Sequence, residues 1–175
     1  MSFSTVLAVA CLVVLLLMIV VSIVAAFSFA PWVPSSAPMA ARALALCKPQ
    51  PNQTFVDIGC GDGRIVTMAY RRFGLRASGV EVSLLPYLLA KLRQLRYIGK
   101  PVSIRYQNLF NLPLGAFDII YIYGLPRTIR EKLLPKLLHE THAGTIIISY
   151  TFSLHGLTEI EKISDRWRTV RIYRR

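Results

Sequence analysis

The residues best placed to do chemistry are two acids set around a cluster of glycines. The segment Phe55-Val56-Asp57-Ile58-Gly59-Cys60-Gly61-Asp62-Gly63-Arg64 puts three glycines where an apolar run gives way to a helical one. Glycines at such a turn let the chain reverse tightly and let a ligand approach the backbone. Asp57 stands two residues before the first glycine, where a carboxylate can meet a cation. Glu81 follows 18 residues after Gly63 and ends the next apolar run, where a carboxylate can accept both hydroxyls of a ribose. A dinucleotide fold would use G-x-G-x-x-G to cradle a pyrophosphate. Here the third glycine comes one residue early, and Asp57 and Asp62 flank the loop, which repels a diphosphate and suits an ammonium or a sulfonium. S-adenosylmethionine carries both cations and a ribose, so charge and spacing point to the same ligand.

The elements that must hold these residues alternate. Residues 54–58 read as a compact apolar strand, 64–73 as a helix with Ile65, Met68, Ala69 and Phe73 on one side, and 77–82 as a second strand. The spacing predicts a longer helix over 84–97, with Lys91, Arg93 and Arg96 in solvent while the leucines pack. Strands are expected at 102–106, 117–123 and 145–152, the middle one nearly continuous in isoleucine as befits a strand covered on both faces. A helix over 128–139 should be bent near Pro135. Such alternation implies a parallel sheet with helices on both faces. Two closing strands, 158–163 and 168–173, have no helix between them, so one must run antiparallel.

On these residues the chain resembles the class I, seven-strand S-adenosylmethionine-dependent methyltransferases. The stretch 56–64 is similar to their first motif, and Gly79-Val80-Glu81 to their second. The resemblance implies a Rossmann-like α/β sheet of order 3-2-1-4-5-7-6 with strand 7 antiparallel. It also implies cofactor contacts from Asp57, Gly59, Cys60, Gly61, Asp62, Gly63 and Glu81, with Asn108 and Leu109 lining the adenine. A narrower resemblance is to the small membrane-anchored protein-lysine methyltransferases of the ATP synthase c-subunit and adenine nucleotide translocase type and their prokaryotic relatives. It rests on Pro31-Trp32-Val33-Pro34-Ser35 after an apolar segment, Gly61-Asp62-Gly63-Arg64-Ile65-Val66, Asn108-Leu109-Phe110, and Tyr123-Gly124-Leu125-Pro126 before a leucine-rich helix. This implies a lysine acceptor on a membrane-associated protein. Trp32, Tyr123, Tyr150 and Phe152 are the candidates for the aromatic, poorly solvated channel that would ease its deprotonation, while Tyr121 reads as simple packing on the sheet.

The apolar segment sets the organisation of the rest. Residues 6–30 contain no charge and no proline, long enough for a helix across a hydrocarbon layer of ~30 Å at ~1.5 Å per residue. The rival is a cleavable signal peptide ending near Val24-Ala25-Ala26, which wants a basic leader and a shorter apolar core. The expected division is an anchor over 1–30, a Pro-rich linker and short helix over 31–53, and a methyltransferase domain over 54–175. The first charged side chain is Arg42, so the whole net charge of +12 lies beyond the anchor. The positive-inside rule then puts the domain in the cytoplasm, and the absence of a basic presequence favours a bacterial inner membrane over a mitochondrial one.

Composition closes off other classes. With 54% hydrophobic residues the chain is not a disordered protein, and three widely spaced cysteines make neither a disulfide scaffold nor a zinc cluster. His139, His142 and His155 lack the spacing of a metal site. Two functions compete with lysine methylation: the same chemistry on a lipid-soluble small molecule, and a membrane-tethered nucleic-acid-binding module or RNA methyltransferase. Against the last, the basic residues are dispersed, with no aromatic-basic recognition motif, so no nucleic-acid partner is expected.

Overall fold

The computed structural model describes residues 2–28, 35–166 and 168–175. A long apolar helix, α1 (Phe3–Ser28), comes first. Its window Phe3–Ile23 has a mean hydropathy of 3.4 and buries none of its length against the rest of the chain, so the protein has one helix long and apolar enough to cross a membrane among the described residues.

Seven strands follow in one sheet: β1 (Thr54–Ile58), β2 (Arg76–Glu81), β3 (Val102–Tyr106), β4 (Ile119–Ile122), β5 (Ile146–Tyr150), β6 (Thr158–Ser164) and β7 (Thr169–Arg174). Their order is β3-β2-β1-β4-β5-β7-β6. β1 to β5 are parallel, and β7 runs antiparallel to both β5 and β6. The helix-free ending is met by the β6–β7 pair, because neighbouring strands can be joined by a short turn only if they are antiparallel.

The crossovers are α3 (Arg64–Phe73), α4 (Leu84–Gln94) and a composite helix made of α5 (Pro126–Thr128), a π-helical segment (Ile129–Leu133) and α6 (Leu134–Glu140). The wide π turn comes just before Pro135, whose ring cannot share a normal turn with the carbonyl four residues back; this is the expected bend. Two apolar cores lie on the two faces of the sheet, one around Phe55, Ile119, Tyr121, Ile148 and Tyr150, the other around Val56, Ile58, Ile120, Ile122 and Ile147.

The expected short helix is present as α2 (Ala37–Leu46); it buries Met39, Ala40, Ala43 and Leu44 in the first core and packs on α3 and β7. One helix differs from expectation. In α4 the side chains that pack are Pro86, Ala90 and, half-buried, Tyr87, while the leucines face outward.

Candidate active site

The glycine loop joins β1 to α3 at the carboxyl ends of the parallel strands. Gly59, Gly61 and Gly63 have φ of 77°, 56° and 73°, a backbone that side chains with a Cβ rarely adopt. Gly63 also caps α3 close to α4, where an added Cβ would come 3.1 Å from the Ala90 Cβ. The loop is tied to β2 through the Val80 carbonyl, which accepts from the Gly59 and Cys60 amides at 2.9 Å each. Gly79 makes this seating possible: a Cβ there would meet Cys60 and Val66 at 2.8 Å. Cys60, expected to face the cofactor, turns its side chain into this contact, and burial pushes its thiol well above the usual range, followed by the charge of Asp57. Only its backbone fronts the loop.

The three acids fare differently. Asp57 is 3% exposed, and its side chain makes no hydrogen bond to any described residue. Burial, reinforced by Glu81 and Asp62, raises its pKa well above the usual carboxylate range. A buried acid with two acidic neighbours and no partner is a seat for a cation. Asp62 has no such vacancy. Its carboxylate takes a bidentate grip from Arg64 (2.9 Å at Nε and at Nη2) and a further bond from Arg93 Nη2 at 2.7 Å. Burial alone would raise the Asp62 pKa, but the Arg64 hydrogen bonds and the Arg93 charge outweigh it and hold the group low. The expectation of two free carboxylates beside the cation therefore reduces to one.

Glu81 is also engaged. Its Oε1 accepts from the Val82 and Ser83 amides at 2.9 and 2.8 Å, and its Oε2 from the Gly61 amide at 2.9 Å. A carboxylate has about four acceptor positions, so one on Oε2 stays open for a ribose hydroxyl. Beyond β3, Asn108 is exposed and uses its Oδ1 to cap the next turn at the Phe110 amide, leaving its NH₂ as a donor. Leu109 is buried beside it.

On the Asp57 face the sheet ends in tyrosines. Asp57 is in register with Tyr121 on β4, and Tyr123 and Tyr150 follow on the same side. The ring centroids of Tyr123 and Tyr150 are 5.0 Å apart, and those of Tyr121 and Tyr150 are 6.4 Å apart. The hydroxyls of Tyr121 and Tyr150 are buried without a hydrogen-bond partner among the described residues, although Ser35 and Ser36, which lead into α2, lie near them. Phe152, expected beside Tyr123, packs instead with the core on the opposite face, where the Ser149 hydroxyl holds its carbonyl at 2.7 Å. The chain turns at Thr151, whose φ is 83°, and this sends residues 150 and 152 to different faces. Tyr150 takes the place beside Tyr123, and Trp32 lies outside the described residues. Tyr121 packs on the sheet as expected, 1% exposed in the first core, with its hydroxyl left without a partner there among the described residues.

A sheet of this order, a glycine turn after β1 and an acid closing β2 define the chain as a class I S-adenosylmethionine-dependent methyltransferase. An uncompensated carboxyl, an open acceptor on Glu81 and a backbone cradle fit that cofactor. The chain belongs to the family of the ANTKMT methyltransferase domain, whose profile matches residues 57–161. It is 30% identical over 140 residues to a protein-lysine N-methyltransferase of Saccharolobus islandicus (strain REY15A), covering 77% of this chain and 86% of that protein. It is also 30% identical over 131 residues to the Caenorhabditis elegans lysine N-methyltransferase of the ATP synthase c-subunit, covering 71% of this chain and 67% of that protein. Among solved structures it is similar to an RNA methyltransferase of Salinibacter ruber in complex with S-adenosyl-L-homocysteine, with a TM-score of 0.75 and 26% identity over 81% of this chain and 93% of that one.

Proposed function

We propose that this chain is a membrane-anchored protein-lysine N-methyltransferase acting on a membrane-associated protein. α1 serves as a single span, residues 54–175 form the catalytic domain with α2 packed into its core, and the basic flank beyond the span holds that domain on the cytoplasmic side. The observation that carries the reading is the row of tyrosines beside Asp57 on one face of the sheet, Tyr121 in register with it and Tyr150 against Tyr123, with two buried hydroxyls that have no hydrogen-bond partner among the described residues. The two protein-lysine methyltransferases at 30% identity support the choice of acceptor.

In this reading the Asp57 carboxylate accepts the amino-acid ammonium of the cofactor, the backbone of 59–63 cradles its methionine part, and Glu81 Oε2 takes a ribose hydroxyl. Asn108 donates to the adenine edge, and Leu109 packs beneath it. The cofactor supplies a methyl on a sulfonium, which is displaced in line by an amine lone pair, so alignment provides most of the rate. Tyr121, Tyr123 and Tyr150 line the approach of the amine. A poorly solvated aromatic wall disfavours the ammonium form, which helps the lysine shed its proton. The tyrosine hydroxyls then offer partners to the neutral amine.

The competing acceptors are separated by one experiment. Full-length protein is incubated with membranes and S-adenosylmethionine labelled in its methyl group, and label is followed into protein, lipid and RNA. The reading expects methyl-lysine in a membrane protein. Label confined to a lipid-soluble molecule or to RNA overturns it.

A further inference from the structure

We infer that the outer face of α4 is a second membrane contact, a helix lying flat in the headgroup region of an anionic bilayer. This extends the anchored reading above. At ~100° per residue, Leu84, Leu95, Leu88, Leu92, Leu85 and Leu89 occupy one continuous arc of about 140°. All six are exposed, with Leu92 at 65% and Leu95 at 58%, and Ile98 continues the row at 78%. The inward side carries Pro86, Ala90 and the half-buried Tyr87, so none of the helix's leucines is buried against the sheet. A crossover helix normally spends its leucines on the sheet. An exposed apolar row of this length on a folded domain marks a docking surface.

Three observations choose lipid as the occupant. Cations lie against the apolar row: Lys91 at one edge of the arc, Arg93 at the other, already paired with Asp62, Arg96 on the following turn and Lys100 beyond Ile98. Shallow hollows flank it, one lined in part by Lys91, Leu95, Ile98 and Lys100, the other by Asp62, Leu89, Leu92, Arg93 and Arg96; in the second Arg93 is paired with Asp62, so Arg96 is the cation left beside apolar surface. That is the pattern of an interfacial helix, with leucines toward the acyl chains and cations at the phosphates. Finally, α1 touches α4, and among its described side chains Val21, near the domain end of the helix, is the one that is half-buried. The contact leaves the leucines uncovered and puts α4 at the level where the span leaves the bilayer. Arg93 reaches from this same helix to Asp62, at 2.9 Å to its carbonyl and 2.7 Å to its carboxylate, so docking and the cofactor loop share one strut.

The test is photo-crosslinking of the full-length protein in vesicles of phosphatidylcholine and phosphatidylglycerol. A benzoylphenylalanine replaces Leu15 in α1, Leu88 or Leu92 in α4, or Ile160 on β6 at the far edge of the sheet, and adducts are read by mass spectrometry. Lipid adducts are expected at 15, 88 and 92 and none at 160. Omitting phosphatidylglycerol should lower the yield at 88 and 92 by about fivefold for each basic residue engaged, and leave that at 15 unchanged. Lipid at 15 with adducts from 88 and 92 to α1, to a second copy of the chain or to nothing overturns the docking and spares the anchor. Lipid at 88 and 92 but not at 15 supports the docking and overturns the span; lipid at none of these positions overturns both.

Discussion

Asp57 and Asp62 lie five residues apart around one loop, and they have opposite surroundings. Asp57 is buried against two acids with no hydrogen-bond partner among the described residues, whereas Asp62 is gripped by two guanidiniums from α3 and α4. The difference separates two jobs that a motif merges. The carboxyl that closes β1 is kept unsatisfied for a ligand, and the carboxyl inside the loop is spent on holding the loop to its helices. Their proton linkages are opposite too. Asp57 has a raised native pKa, so the unliganded fold is favoured by its proton and loses that stability as pH climbs through the raised value. Asp62 has a lowered one, so its contribution is present above the unfolded value and disappears as pH falls through the native value.

Glu81→Ala should have the largest effect, because it removes an acceptor for the ribose and strands three amides at once. Affinity for S-adenosylmethionine is expected to fall by roughly 2 kcal/mol, about 30-fold, with a loss of stability of similar size in urea. Unchanged affinity by calorimetry would mean that Glu81 is purely a loop strut, as Asp62 is.

Asp62→Asn and Arg93→Ala should move stability more than cofactor affinity. Each loosens the link between the loop and α4, at about 1 kcal/mol given that the guanidinium is partly in solvent. Equal losses in binding for the Asp57 and Asp62 variants would erase the distinction drawn between them.

The smallest effect is in pH. Cofactor binding should strengthen as pH rises through the raised Asp57 value, with a proton released on binding below it, measurable from calorimetry in two buffers of different ionisation heat. Asp57→Asn should abolish that release, and a wild type that takes up protons would reverse the assignment.

Much of this was legible in the residues alone. The glycine spacing, Asp57, Glu81 and the helix-free ending gave the loop, the parallel sheet and one antiparallel closing strand, because local turns and apolar periods are properties of short stretches; the strand order came from the resemblance to the methyltransferase family. The partners of Asp62 were not legible, since Arg93 lies 31 residues away on another helix. The side that Phe152 takes depends on a single left-handed residue, Thr151. The leucines of α4 show the commonest limit: periodicity reveals that a helix has an apolar face but not whether that face is covered. Pro86 and Ala90, at the positions opposite the leucines, were the residues that carried the clue.

The central claim is that Asp57 is reserved for the ammonium of the cofactor. Its direct test is calorimetry of the full-length protein and of Asp57→Asn with S-adenosylmethionine and with its analogue lacking the amino group. The account predicts that wild type prefers the complete cofactor by about 1.5 to 3 kcal/mol, roughly 10- to 100-fold, and that Asp57→Asn binds the two alike. A wild type that does not distinguish them, or a variant that keeps the preference, contradicts it.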